Sequence, residues 1–283
     1  MNGNTQKKSL RADPISLVMR VLVWGAALLT AGVLLALIAY ILIRGVPNLK
    51  LSLFELEYNS ENVSMFPSIV MTIYMTVLTL IITTPLGIGC AIYLTEYAKR
   101  GNKVVEVIRL AAETLSGIPS IVYGLFGMLF FVTALQWKNS ILAGSCTLAI
   151  MVLPLIIRST EEALKSVPDS YREASFGLGA GKLRTVVRVV LPPAMPGIVA
   201  GVILAVGRIV GETAALIYTA GTVAKITINP MESARTLAVH MYALSSEGLH
   251  TNEAFATGVV LLLVVLMLNA TSNAIAKRIT KGK

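Results

Sequence analysis

Long apolar segments dominate this chain and restrict what it can fold into. Hydrophobic residues make up 55% of the 283 residues, only 14% are charged, and the mean hydropathy is +0.75. A transmembrane helix needs about 20 mostly apolar residues, and six segments meet or approach that length. They lie at 17–43, 68–97, 107–135, 141–157, 193–222 and 254–276. The pattern predicts an all-α integral membrane protein with six transmembrane helices.

The first apolar segment could be mistaken for a secretory signal peptide, because Lys7, Lys8 and Arg11 precede it. The apolar part of a signal peptide spans only about 7–15 residues. The segment at 17–43 is much longer, so we expect it to remain in the protein as a membrane span.

The distribution of Lys and Arg predicts the orientation of the spans. Of the 24 basic residues, 18 fall in the N-terminal tail up to Arg20, the loop 98–109, the loop 158–192 and the C-terminal tail. Five lie in the opposite loops, and Arg208 lies within a span. Basic loops stay in the cytoplasm, so both termini are predicted to be cytoplasmic. The net charge of +9 then reflects topology rather than nucleic-acid binding.

These spans divide the chain into a membrane core and short flanking parts. The predicted order is a cytoplasmic tail at 1–16, a first transmembrane helix at 17–43, an external loop at 44–67, a five-helix core at 68–276 and a cytoplasmic tail at 277–283. The core contains a cytoplasmic segment at 162–192 and an external loop at 223–253.

Several kinds of site are not expected in this chain. Cys90 and Cys146 lie in apolar runs and are interpreted as small hydrophobic residues. His240 and His250 share a loop without further ligands at metal-binding spacing, so no metal site is predicted. The stretch GLGAGK, which ends at Lys182, lacks the first glycine and the final Ser or Thr of a nucleotide-binding loop. No catalytic constellation of side chains lies within a span.

The cytoplasmic loop between the fourth and fifth spans has its own pattern. It reads VPDSYREASFGLGAGKLRTVVRVVLPPAMPGI from Val167 to Ile198. The sequence predicts a short helix over 171–176, a flexible break over 177–181 and a second amphipathic helix. We expect Leu191-Pro192-Pro193 to end that second helix, because proline cannot continue the hydrogen-bond ladder.

This loop resembles the signature of ABC-importer permeases, in which Glu-Ala-Ala is followed at fixed spacings by Gly and by Ile-x-Leu-Pro. The matching residues are Glu173, Ala174, Ser175, Gly179, Val189, Leu191 and Pro192. Ser175 and Val189 are mild departures. The resemblance implies that the segment is a coupling helix docking into a cleft of an ATPase subunit. The alternative is an ordinary amphipathic surface helix.

Two charged residues lie inside the fifth span, where charge is costly and usually functional. Arg208 and Glu212 are four residues apart, so on a continuous helix they share a face and can pair. In a functional interpretation, Arg208 donates hydrogen bonds to an oxyanion crossing the membrane. Glu212 either orients Arg208 or accepts a proton from the substrate. The alternative is a structural pair that neutralises two buried charges.

The third span carries the stretch ETLSGIPSIVYG, where Gly117 and Pro119 weaken the helix in an apolar run. Irregular backbone at membrane depth is tolerated where it faces protein or a cavity. Ser116, Ser120 and Tyr123 supply hydroxyl groups there. The alternative is a proline kink without a function.

Three stretches together resemble the A-type subunit of phosphate-specific ABC permeases: ETLSGIPSIVYG, GRIVGETAAL and ESARTLAVHMYALSSEG. The resemblance implies the type I importer (MetI-like) permease fold in a prokaryotic cell membrane. It also implies that phosphate passes the matching arginine and glutamate. The candidate translocation residues are Arg208, Glu212, Thr213, Ser116, Gly117, Pro119, Ser120 and Tyr123.

The same resemblance implies a set of partners and a division of labour. The expected partners are a homologous second permease subunit, two copies of a cytoplasmic ATPase, an external phosphate-binding protein and membrane lipid, with no nucleic acid. This chain is expected to be non-catalytic and to hold no cofactor, since ATP and Mg²⁺ are used by the ATPase. The alternatives are an ABC permease for another oxyanion or polar solute, and an ion-coupled secondary transporter.

Overall fold

A computed structural model of the protein describes residues 14–99 and 101–281, and these residues form helices and connecting loops without a strand. The predicted all-α architecture is therefore confirmed. The α-helices are α1 (Pro14–Gly45), α2 (Phe66–Ile92), α3 (Lys103–Ser116), α4 (Ser120–Gly127), α5 (Ile141–Lys165), α6 (Asp169–Gly177), α7 (Lys182–Thr185), α8 (Leu191–Val210), α9 (Ala214–Thr219), α10 (Leu237–Glu247) and α11 (Thr251–Lys281). The predicted tail at 1–16 lies mostly outside the described residues.

Shorter helical turns extend or link these α-helices. Single π-helical segments continue three of them, at Tyr93–Tyr97 after α2, at Met128–Ala134 after α4 and at Val186–Val190 between α7 and α8. Two 3₁₀ turns, Val46–Asn48 and Leu51–Phe54, follow α1 on the way to α2.

Within the residues that the structure describes, five helical stretches are long and apolar enough to cross a membrane, and a bent pair makes a sixth candidate. The five are Ile15–Asn48, Phe66–Tyr97, Ile141–Lys165, Lys182–Val210 and Thr251–Ala274. The sixth consists of Lys103–Ser116 and Ser120–Ala134, whose axes meet at 106°. The predicted third span is therefore two helices joined at the Gly117–Pro119 break.

The fifth span differs from the prediction at both ends. We expected the chain to turn at Pro192 and Pro193, but one helix runs from Lys182 to Val210. The π segment Val186–Val190 lies directly before these prolines. A wider π turn moves the preceding carbonyl groups out of the way of the proline rings, so the helix continues. At the other end α8 stops at Val210, with Gly211 as its cap.

The helix α5 lies at the centre of the fold and packs between α2 and α8. Glycines of α8 and α2 that contact α5 allow these helices to approach closely. A Cβ at Gly201 would overlap Ser159 of α5, and a Cβ at Gly197 would lie 2.7 Å from Ala163. On the other side, a Cβ at Gly87 of α2 would lie 2.6 Å from Ile156. Gly197 and Gly201 thus allow the backbone of α8 to lie against α5.

The helix α1 stands apart from this core and packs on α11. Tyr40 and Phe255 meet edge to face with ring centroids 5.5 Å apart, and Gly45 lies against Phe255 and Val259. Most other side chains of α1 are exposed and apolar, as expected for a helix that faces lipid or another membrane subunit.

The segment before α2 and the helix α10 form a compact cap at the opposite end from α6. Asn62 donates to Glu55 and to the Glu57 carbonyl, which closes the loop before α2. The Arg235 guanidinium lies 4.4 Å from the centre of the Tyr58 ring. His240 is fully buried beside that ring. Burial, with the Arg235 charge as the second cause, lowers the pKa of His240 from 6.5 to about 3.

Candidate functional site

A cavity of about 460 Å³, the membrane cavity, lies between α3, α5 and α8. It contains two of the predicted translocation residues, Arg208 from α8 and Ser116 from the end of α3. Its wall also contains six further charged side chains, Arg109 and Glu113 from α3 and Arg158, Glu161, Glu162 and Lys165 from α5, together with apolar residues of the same two helices. The membrane cavity therefore runs from Arg208 towards the end of α5 that leads into α6.

Arg208 has no ion-pair partner within the described parts of the chain, 14–99 and 101–281. The other cations of the cavity wall are engaged. Arg158 contacts Glu162 at 3.0 Å, with both side chains largely exposed. Glu161 contacts Arg109 at 2.6 Å and Lys165 at 2.7 Å. Arg208 thus brings a positive charge into the cavity without direct contact to a described carboxylate.

Glu212 does not pair with Arg208, and the expectation of a shared helix face is wrong. Because α8 ends at Val210, Glu212 lies in the connection to α9. Its Oε1 accepts a hydrogen bond from the Ala215 backbone N–H at 3.0 Å, and the side chain is buried. Glu212 therefore stabilises the N-terminus of α9. Thr213 lies in the same connection, and its carbonyl accepts from the Ile217 N–H.

The break between α3 and α4 is held by hydrogen bonds from its hydroxyl groups. Tyr123 is buried, and its OH donates to the Leu115 carbonyl at 2.6 Å. Ser116 donates to the Glu113 carbonyl at 2.7 Å and also lines the membrane cavity. The structure places Ser116 next to the cavity and commits Tyr123 to the backbone.

The other residues of this break shape the turn. Gly117 caps α3, and Pro119 lies in extended backbone immediately before α4. Ser120 is the first residue of α4 and is half-buried. Gly117, Pro119 and Ser120 are not among the residues that line the membrane cavity.

The predicted coupling segment forms α6 and the turn after it. Glu173 and Ala174 are exposed, whereas Ser175 is buried and its Oγ lies 2.8 Å from Thr185 Oγ1 of α7. Gly179 has a φ of +80°, a conformation that favours glycine, and it reverses the chain between α6 and α7. The two short helices are thereby fastened into one unit.

Large apolar side chains of this unit are exposed. They are Tyr171, Phe176, Leu178 and Leu183. An exposed apolar patch beside charged side chains is typical of a protein-interaction site. Leu191 and Pro192, the last residues of the sequence pattern, lie in the first turn of α8, and Leu191 packs on Val190 and Ala194.

An ion pair that sequence reasoning missed connects α6 to α2. Arg172 Nη2 lies 2.7 Å from Glu96 Oε1, and both side chains are largely buried. Arg172 also donates to the carbonyl groups of Leu164 and Val167 and contacts Asp169 at 3.1 Å. Arg172 stands beside Glu173 in the sequence, but Glu96 is 76 positions away. The local pattern therefore could not reveal the partner.

A second cavity, the α6 cavity, has a volume of about 560 Å³ and lies beside α6. The end of α2, the start of α3 and α6 surround it, with Glu96, Arg172 and Lys182 in its wall. Arg109 and Lys165 line both cavities. The described residues contain no group of three His, Cys, Asp or Glu side chains that could hold a metal ion.

Comparison with known proteins defines the class. Residues 83–282 match the family described as binding-protein-dependent transport system inner membrane component. The chain is 36% identical over 273 residues to a probable ABC transporter permease, YqgI of Bacillus subtilis, and the alignment covers 90% of this chain and 92% of that protein. The chain belongs to this family of ABC-importer permeases.

Within the family, the chain resembles permeases named for phosphate transport. It is 36% identical over 197 residues to the phosphate transport system permease PstA of Yersinia pestis, covering 69% of this chain and 66% of that protein. It is 40% identical over 141 residues to PstA 1 of Mycobacterium tuberculosis (strain H37Rv), covering 50% of this chain and 45% of that protein.

Solved ABC importers share the fold. A bacterial alginate transporter in complex with its periplasmic protein matches with a TM-score of 0.66 at 17% identity, covering 93% of this chain and 97% of that chain. The MetNI methionine transporter in an inward-facing conformation matches with a TM-score of 0.59 at 20% identity, covering 86% and 98%. The predicted MetI-like permease fold is confirmed.

Proposed function

We propose that the chain is a permease subunit of an ATP-driven importer of inorganic phosphate. The proposal rests on Arg208, a cation within a membrane span that faces a cavity and lacks an ion-pair partner among the described residues. Charge at membrane depth is costly and marks a substrate path by default. A guanidinium offers a planar fork of donors that matches the oxygen atoms of an oxyanion. The resemblance to permeases named for phosphate supports phosphate as that anion.

The proposed mechanism is alternating access. ATP-driven closure of two ATPase subunits pulls on α6 through the exposed Glu173 and Ala174. The Arg172–Glu96 pair passes the movement to α2, and Ser175 passes it through Thr185 to the helix that carries Arg208. The membrane cavity then faces the outside and the cytoplasm in turn.

The remaining candidate residues have supporting roles in this proposal. Ser116 supplies a hydroxyl group to the wall that Arg208 shares. Gly117, Pro119, Ser120 and Tyr123 form the turn that places Ser116 there. Glu212 and Thr213 stabilise the start of α9, directly after the helix that carries Arg208.

The other parts of the proposal derive from the family. The chain hydrolyses no ATP itself, and ATP with Mg²⁺ is used by the ATPase partner. A homologous second permease subunit completes the pathway, and an external phosphate-binding protein delivers the substrate. The solved alginate importer is likewise described in complex with a periplasmic protein. We place both termini in the cytoplasm, on the side of α6.

Phosphate uptake by the complete complex in proteoliposomes tests this function. Arg208→Ala should lower ATP-driven phosphate uptake by about tenfold or more, because a hydrogen bond to a charged group contributes about 1.5–3 kcal/mol. Arg208→Lys keeps the charge but loses the fork, so its uptake should be intermediate. Assembly of the complex, followed by co-purification of the ATPase, should be normal in both variants. Unimpaired uptake by Arg208→Ala would overturn the assignment of Arg208.

A second candidate cargo is another oxyanion such as sulfate or molybdate, because the Arg208 fork fits tetrahedral anions in general. The 36% identical relative YqgI is named only as a probable ABC transporter permease, so its name does not favour phosphate over another oxyanion. Competition in the same uptake assay separates the candidates: excess sulfate should leave phosphate uptake unchanged if phosphate is the substrate. The family membership argues against an ion-coupled secondary carrier.

A further inference from the structure

Three charged side chains stand where the two cavities meet. Glu161 and Lys165 belong to the end of α5, and Arg109 belongs to α3. Arg109 Nη2 and Lys165 Nζ both contact the same atom, Glu161 Oε1, at 2.6 and 2.7 Å. The two cations line both the membrane cavity and the α6 cavity. These three residues, the Glu161 cluster, therefore separate the space next to Arg208 from the space next to α6.

The cluster carries more positive than negative charge and is only partly solvated. The Glu161 side chain is 9% exposed, whereas those of Arg109 and Lys165 are 40% and 54% exposed. Arg109 Nε is buried without a hydrogen-bond partner among the described residues. Two cations facing one carboxylate retain an affinity for a further anion. An oxyanion that reaches them from the Arg208 side competes with Glu161 for the same donors.

The cluster is also attached to the coupling segment. Lys165 is the last residue of α5, and α6 begins at Asp169. Arg172 of α6 donates to the Leu164 carbonyl, next to Lys165. A displacement of α6 therefore pulls directly on the end of α5. Arg109 belongs to a different helix, so such a displacement changes its distance from Lys165 and loosens the grip on Glu161.

We propose that the Glu161 cluster is an anion-operated gate on the cytoplasmic side of the pathway. Arg109 and Lys165 hold Glu161 while no anion is present, and they transfer to the oxyanion that arrives from Arg208. Movement of α6 then separates the two cations and releases the anion into the α6 cavity. This inference rests on the proposed function, since it requires an anionic substrate. A cluster that merely fastens α3 to α5 would not distinguish an anion from any other solute.

Equilibrium binding of radiolabelled phosphate to the complete complex in nanodiscs, without ATP, tests the gate. Glu161→Gln keeps the shape of the side chain and removes the competing charge. Its half-saturating phosphate concentration should fall by about fivefold or more, as for coupled sites in general. In the proteoliposome assay with ATP, phosphate uptake by this variant should slow, because Arg109 and Lys165 release the bound anion more slowly. Lys165→Gln and Arg109→Gln should instead weaken binding.

The matched control is Glu232→Gln, which makes the same chemical change in an exposed ion pair with Lys225, away from both cavities. Its phosphate binding and uptake should equal those of the wild type. If Glu161→Gln and Arg109→Gln change binding in the same direction, or not at all, the cluster is only a fastener and the gate is wrong. If the wild-type complex nevertheless imports phosphate in the proteoliposome uptake assay, the proposed function stands without the gate. If it imports neither phosphate nor another oxyanion, the proposed function itself fails.

Discussion

At the scale of single residues, the arginines Arg208 and Arg235 lie in different surroundings. Arg208 faces a cavity without an ion-pair partner among the described residues, whereas Arg235 is buried against the ring of Tyr58. Next to Arg235, His240 is fully buried and its pKa is lowered to about 3 by burial and by that cation. Arg208, unpaired among the described residues, fits the proposed passage of an anion. The buried His240 makes the cap at the opposite end from α6 dependent on a neutral imidazole.

The His240 environment predicts acid sensitivity. Its pKa in the folded protein is about 3, below the ordinary value of 6.5, so the unfolded chain binds the extra proton first. The contribution of His240 to the free energy of unfolding is therefore fully present above pH 6.5. It decreases as the pH falls towards about 3, by about 1.4 kcal/mol per pH unit. Thermal unfolding of the detergent-solubilised protein between pH 7 and pH 5 measures the effect. His240→Gln should show a shallower dependence on pH, and an identical slope in both proteins would contradict the prediction.

At the scale of helices, the Arg172–Glu96 pair is a buried connection between α6, the proposed coupling helix, and the membrane core. Both side chains are largely buried, and Arg172 also holds the carbonyl groups at the end of α5. The geometry links α6 to α2 and α5 at one point. The exposed apolar side chains around α6 leave its outer face available to a partner.

We expect Glu96→Gln to uncouple ATP hydrolysis from transport. The substitution removes one charge of the pair and leaves the outer face of α6 unchanged, so the ATPase should still dock and hydrolyse ATP. The amount of phosphate imported per ATP should fall by about fivefold or more, as for a coupling free energy of about 1 kcal/mol. Parallel assays of phosphate uptake and ATP hydrolysis in proteoliposomes give this ratio.

Asp169→Asn provides the comparison for this test. Asp169 contacts the same arginine at 3.1 Å, but its side chain is 74% exposed, and exposed pairs contribute little. Its effect on the ratio should be much smaller than that of Glu96→Gln. Equal effects of the two substitutions would show that burial of the pair is irrelevant to coupling.

At the scale of the whole molecule, apolar length and motif spacing were enough to predict the all-α family fold and five of the membrane-length helices, whereas the third predicted span is a bent pair of helices. The sequence did not predict that α8 ends at Val210. The spacing of Arg208 and Glu212 is compatible with one continuous helix, and only the structure shows that Gly211 caps the helix between them. The sequence also predicted a stop at Pro192, since nothing local reveals the π turn before it. The Glu161 cluster joins helices that are distant in sequence, so only packing reveals it.

The orientation of the whole molecule is a testable expectation. After replacement of Cys90 and Cys146 by serine, a single cysteine is introduced at Glu173 of α6 or at Glu232 of the loop before α10, which are both surface positions. With both termini in the cytoplasm, a membrane-impermeant maleimide should label position 232 in intact cells. Position 173 should be labelled only in inverted vesicles. The reverse pattern would require the opposite topology.

The unbroken helix from Lys182 to Val210 has a mechanical consequence. Its 29 residues make a rod about 43 Å long at 1.5 Å per residue, with one end next to α6 and Arg208 close to the other. If the rod pivots near the end next to α6, a tilt of about 5° carries Arg208 sideways by about 3–4 Å. In the proposed mechanism the ATPase therefore supplies only a small rotation, because the length of the helix converts it into a much larger displacement at Arg208.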